Sequence, residues 1–180
     1  MGALAGPFVA AAVLLGLGGA LELRRPAATV GAMRAMHLPS SPLAVRLGGG
    51  AVLAVSVVAV VWPTRWVAAA VGGAYLLLSG FVLAALLRRV PIGSCGCFGR
   101  DDTPATAGHL LVNVAAAAVA ATVAMGPGPR GWASADLDPH PVAVVVFGLL
   151  TVSSALFAYM GLTLVPRLAA AGNRLARSSA

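Results

Sequence analysis

Residues 62–89 read WPTRWVAAAVGGAYLLLSGFVLAALLRR. Between Trp66 and Leu87 there is no charged side chain, and the run is closed by Arg65 on one flank and Arg88-Arg89 on the other. A helix needs about 20 apolar residues to cross a hydrocarbon core of roughly 30 Å. The run therefore predicts a membrane-spanning helix. Before it, Pro63, Thr64 and Arg65 make a tight hairpin back to a second apolar run, Leu43 to Trp62. Trp62 and Trp66 flank that hairpin, where Trp side chains anchor a helix pair at the membrane–water interface.

Three further runs qualify or nearly do: Ala3–Leu23, the shorter His109–Met125, and Val142–Val165. The composition agrees. Hydrophobic residues make up 59% of the 180 positions and charged residues 9%, against about a quarter charged in a soluble domain. Too few polar residues remain to cover a globular surface, which excludes a water-soluble enzyme. The net charge of +7 would suit a nucleic-acid partner, but the Arg residues stand at the ends of apolar runs, so none is expected. The expected fold is an all-α integral membrane protein, a compact helical bundle of four transmembrane helices plus a fifth, C-terminal one. The first run has no positive n-region and reads as a retained span, not a cleaved leader.

The connections differ in kind. Residues 24–42 carry Arg24, Arg25, Arg34 and His37 and are too polar to span; they suit an amphipathic turn or helix on the surface. Residues 126–141 are rich in Gly and Pro, and a short basic tail follows Arg167. Within the spans, Gly16, Gly18 and Gly19, Gly48 to Ala51, and Ala115 to Ala118 are small enough to let helix backbones approach closely. All twelve basic residues are Arg, and so many Ala, Val and Gly residues reflect compositional bias as readily as selected packing.

With five spans, ten Arg residues fall on the side of residues 24–42, 88–108 and the tail, and Arg65 and Arg130 on the other. The positive-inside rule assigns the Arg-rich side to the cytoplasm of a multi-pass bacterial inner-membrane protein. Glu22 and Arg46, each near a span end on that side, are candidates to pair, which would lower the cost of placing each near lipid.

The chemistry is concentrated in Gly93-Ser94-Cys95-Gly96-Cys97-Phe98-Gly99, which holds the only two cysteines. One residue apart, their Cα atoms lie within reach of a disulfide, and Gly96 gives the backbone freedom to close the ring. As a staple the bond would do little. Closing a three-residue loop is worth about 1.6 kcal/mol by chain entropy, while poor disulfide geometry stores several kcal/mol. A strained, labile pair is suited to exchange or sensing. The alternatives are two thiols of no consequence and a soft-metal site for Cu(I). A closed zinc site would need four ligands, and only His109, Asp101 and Asp102 are near, so no metal or other cofactor is expected.

Arg88, Arg89 and Arg100 flank the motif and would favour the reactive thiolate, though Arg residues there also serve as plain interfacial anchors. His109 and Asn113 are four apart and share one helix face. An ionisable group at a membrane helix end near a thiol pair is a candidate acid–base partner; the other reading of His109 is a polar flank of the helix.

Cys95-Gly96-Cys97-Phe98-Gly99, placed just after the third apolar run and followed about ten residues later by a polar helix start, resembles the MauE/DoxX-like redox-associated membrane proteins. The end of the first run, Gly18-Gly19-Ala20-Leu21-Glu22-Leu23-Arg24-Arg25-Pro26, is similar to that family's Gly-rich helix end, with Glu22 where a Lys is usual. His109 to Asn113 resembles a family segment in which Val112 is commonly Arg. A Glu often found early in the second helix is missing, and Arg46 lies there instead. The resemblance covers roughly residues 5–126. It implies a four-helix domain over residues 1–126, with residues 127–180 adding a loop, the fifth helix and the tail.

The resemblance further implies a role in methylamine dehydrogenase maturation, or more broadly in thiol-disulfide traffic with a thioredoxin-like partner or a disulfide-containing client. Cys95 and Cys97 would be the reacting residues, with Gly96, Phe98 and Gly99 as motif backbone and His109, Asn113 and Arg100 in support. Such a role suits the extracytoplasmic side, whereas the Arg count assigns the cysteines to the cytoplasm. The alternative is a non-enzymatic membrane scaffold or assembly factor whose thiols are incidental or bind Cu(I).

Overall fold

The computed structural model describes residues 2–88 and 106–126, with Gly148, Leu149 and Met160 as isolated helical positions beyond them. Five helices lie among the described residues: α1 (Gly2–Arg24), α2 (Ala27–Ala35), α3 (Pro42–Val61), α4 (Arg65–Leu87) and α5 (Ala107–Met125). Four of them, all but α2, are long and apolar enough to cross a membrane. Each starts and ends within two residues of the expected span. The fifth run, Val142–Val165, lies outside the described residues apart from Gly148, Leu149 and Met160.

Local chemistry sets the boundaries. Pro26, which lacks an N–H, follows the last turn of α1 and stands at the N-cap of α2. α2 closes in a Schellman turn: Leu38 N–H donates to the Met33 carbonyl and His37 N–H to that of Arg34, each at 2.9 Å. His37 takes the left-handed conformation this turn requires, with φ of 58°. α3 opens on Pro42 in its first turn. The α3–α4 hairpin ends on Thr64, whose Oγ1 accepts from Val67 N–H at 3.3 Å. Beside it the Arg65 guanidinium lies over the Trp66 ring, 4.9 Å from the centroid. Trp62 and Trp66 are both exposed, as interfacial anchors must be.

The bundle is built from two close antiparallel pairs, α1 with α3 and α4 with α5. In the first pair the backbones nearly touch. A Cβ at Gly19 would stand 2.6 Å from the Gly49 carbonyl oxygen, and one at Gly49 would stand 2.9 Å from the Gly19 oxygen. In the second pair Gly72 faces Ala120, whose Cβ would be 3.4 Å from a Cβ at that glycine. Lipid supplies no hydrophobic drive for helices to associate, so close packing of this kind must supply it. Phe8, Ala12 and Leu15 of α1 meet Ala59 of α3, Val71 and Tyr75 of α4 and Ala120 of α5 in the core. Tyr75 Oη donates to the Ala11 carbonyl at 2.7 Å, joining α4 to α1. The outer faces carry exposed Leu43, Leu47, Leu76, Leu77 and Leu111, a surface suited to lipid.

α2 agrees with the expected surface helix but is not merely laid on the bundle. Its Ala32 and the following Met36 are buried against Ala85 near the end of α4. Arg88 Nη1 donates to the Met36 carbonyl at 3.4 Å, so α4 also holds α2 from its C-terminus.

Candidate functional site at the α2 end of the bundle

The antiparallel order places the end of α1, all of α2, the start of α3, the end of α4 and the start of α5 at one end of the molecule. The connection between α4 and α5, which carries Cys95 and Cys97, starts and finishes there. Both cysteines lie outside the described residues, as do Gly96, Phe98, Gly99, Arg89 and Arg100. The flanks of the connection are described. On the near flank Arg88 is exposed and engaged with the Met36 carbonyl. On the far flank Thr106 stands at the N-cap of α5 in extended conformation. Its hydroxyl does not cap the helix but lies 2.8 Å from His109 Nδ1.

His109 and Asn113 share one face, as their spacing predicts, and that face is turned into the bundle. His109 is 1% exposed and Asn113 8%. The imidazole is therefore a buried group tethered by Thr106 one turn below the cysteine-bearing connection, and not a solvated flank of the helix. The sequence signal for Thr106 was its position three residues before His109, the spacing at which helix-start side chains meet. Asn113 Nδ2 is buried with no hydrogen-bond partner among the described residues, an uncommon state for an amide.

The expected Glu22–Arg46 ion pair does not form. Glu22 is half-buried, and its Oε1 accepts from Thr29 Oγ1 of α2 at 3.5 Å. α3 meets it through Gly49, where an added Cβ would stand 2.8 Å from Glu22 Cβ. Arg46, three residues before Gly49, is exposed. The carboxyl's hydrogen-bond partner is therefore Thr29 of α2, and Arg46 stands exposed to the surroundings.

Glu22, Thr29 and Asn113 all line one cavity of about 320 Å³ between the helices. The rest of its wall is largely apolar, with Leu15, Val52 and Phe81 among the lining residues.

Described residues whose secondary structure is all helical, with four candidate spans in two antiparallel pairs and a buried His–Asn face on the last of them, can be compared with known families. Residues 2–126 match the family described as methylamine utilisation protein MauE. The chain belongs to that family. The match ends at Gly126, one residue after α5, so all five described helices fall within the MauE region and Val142–Val165 falls beyond it. No curated protein and no solved structure matches the chain.

Proposed function

We propose that this MauE family protein serves methylamine utilisation as a membrane-embedded thiol-disulfide exchange factor, with Cys95 and Cys97 as its reacting pair and a thioredoxin-like protein or a disulfide-containing client as its partner. The observation that carries the reading is the place of the only two cysteines: a CxC in the one connection that leads into α5, with buried His109 in that helix's first turn.

The exchange balances without a further reagent. The thiolate of one cysteine attacks a client disulfide, forms a mixed disulfide and releases one client thiolate. The other cysteine attacks the mixed disulfide, closes the Cys95–Cys97 bond and releases the second client thiolate. Run in reverse, the same steps oxidise a client dithiol and leave the pair reduced. The flanking Arg88, Arg89 and Arg100 favour the attacking thiolate, and His109 supports the proton traffic. Strain in the three-residue ring keeps the bond reducible.

The test is client maturation in cells expressing Cys95→Ser, Cys97→Ser or the double variant. Exchange needs both sulfurs, so each variant is expected to lose maturation while the protein still accumulates in the membrane. Full maturation with the double variant would contradict the reading and leave an assembly scaffold in its place.

A further inference from the structure

Among the described residues the α2 end carries positive charge with almost nothing to offset it. Arg24, Arg25, Arg34, Arg46 and Arg88 are all exposed there. The one acidic side chain among the described residues, Glu22, is half-buried and bonded to Thr29. Two of the five cations are also held in place. Arg34 Nε donates to Ser40 Oγ at 3.2 Å, and Arg88 Nη1 donates to the Met36 carbonyl at 3.4 Å. Both guanidiniums are thus tied to one short segment, residues 36–40, which leads from α2 to α3. Each spends one N–H on that bond and keeps the rest of a planar, many-donor group suited to the oxygens of a phosphate.

Apolar surface runs up to the same place. Leu83 and Leu87, four apart and so on one face of α4, are exposed, Leu87 to 74%, and Arg88 is the next residue. A partner that answers these cations must therefore also cover a ridge of leucine. Nucleic acids and acidic proteins bring the negative charge without the hydrocarbon. A phospholipid brings both in one molecule.

We propose that Arg34 and Arg88 form a binding site for an anionic phospholipid, with its phosphodiester held by the two guanidiniums and its acyl chains along Leu83 and Leu87. Arg24, Arg25 and Arg46 raise the positive potential around the site and so favour a head group with no cation of its own. The site stands apart from the thiol-exchange reading, since no cysteine takes part.

The test is native mass spectrometry of the full chain released from detergent, titrated with phosphatidylglycerol or with phosphatidylcholine of the same acyl chains. Both lipids carry the phosphodiester, but choline adds a positive charge. The expected result is a saturable adduct of one phosphatidylglycerol, formed at concentrations about tenfold below those that phosphatidylcholine needs. Arg34→Gln and Arg88→Gln are each expected to weaken that adduct about tenfold, as the loss of one charge-assisted hydrogen bond does. Arg34→Gln guards against a folding defect, because Arg34 is exposed and its bond to Ser40 lies at the surface. Arg65→Gln, at the opposite end of the bundle, is expected to change nothing. Equal adducts with both lipids, or a preference that survives when Arg34 and Arg88 are both replaced by Gln, would overturn the proposal. Displacement by an equal concentration of glycerol phosphate, the head group without its chains, would overturn it too and leave a site for a soluble anion.

Discussion

Gly19 shows how much one absent methyl group can decide. With 2.6 Å between its would-be Cβ and the Gly49 oxygen, any side chain there must push α1 and α3 apart. Gly19→Leu is expected to destabilise the detergent-solubilised protein by about 1–3 kcal/mol, the usual range for overpacking, read as a lower thermal midpoint. Gly48→Ala is the matched control, since a Cβ at Gly48 meets nothing within 4 Å, and its midpoint should not fall. Equal losses in the two variants would mean that small residues are interchangeable here and that the close contact is not what holds the pair. Tyr75→Phe removes the bond to the Ala11 carbonyl. The expected loss is about 0.6 kcal/mol, typical of an interhelical hydrogen bond in a membrane protein; an unchanged midpoint would count against that bond as a link between α4 and α1.

Among the elements, the four long helices were legible because an apolar run of membrane length with at most one charged residue inside it has few other readings. Their rotations were not. The spans are apolar on every side, so periodicity carries little information about which face turns inward. That is why the stripe Gly48 to Ala51 was visible as a candidate contact while its choice of Gly49 over Gly48 was not, and why Glu22 was paired with Arg46 when α3 in fact presents Gly49 to it. α5 was a partial exception: the spacing of His109 and Asn113 put them on one face, but a polar flank of the helix was the favoured reading of His109, and the structure turns that face inward instead.

α2 was legible as a surface helix, but its grip on α4 through Met36 and Arg88 was not, because it depends on where α4 ends. That grip can be measured by tryptic cleavage after Arg34 in the solubilised protein. Met36→Ala, which empties a buried site, is expected to speed cleavage severalfold. His37→Gly, which removes the cost of a left-handed residue, is expected to slow it. Unchanged rates in both would show that α2 is not held as described.

At the scale of the molecule, charge and cavity share one end. Among the described residues Arg24, Arg25, Arg34, Arg46 and Arg88 stand at the α2 end and Arg65 at the other. The positive-inside rule reads this end as cytoplasmic, where thiols are kept reduced, whereas making disulfides belongs outside. Treating intact cells with a membrane-impermeant maleimide, with and without prior reduction, separates the two. Labelling of Cys95 and Cys97 from outside that appears only after reduction would support exchange and reverse the Arg assignment. Free thiols labelled only in opened cells would favour the scaffold. The cavity itself had no sequence signature, since Glu22 and Thr29 come from the adjoining α1 and α2 while Asn113 comes from α5, far along the chain.

The central claim, that Cys95 and Cys97 exchange disulfides with a protein partner, is tested most directly by trapping the mixed disulfide. Cells producing Cys95→Ser, Cys97→Ser or the double variant would be quenched in acid, alkylated and resolved without reductant. The account predicts a reductant-sensitive adduct with a second protein in at least one single variant and in none of the double. Absence of any such adduct from both single variants, with the protein present in the membrane, would contradict it.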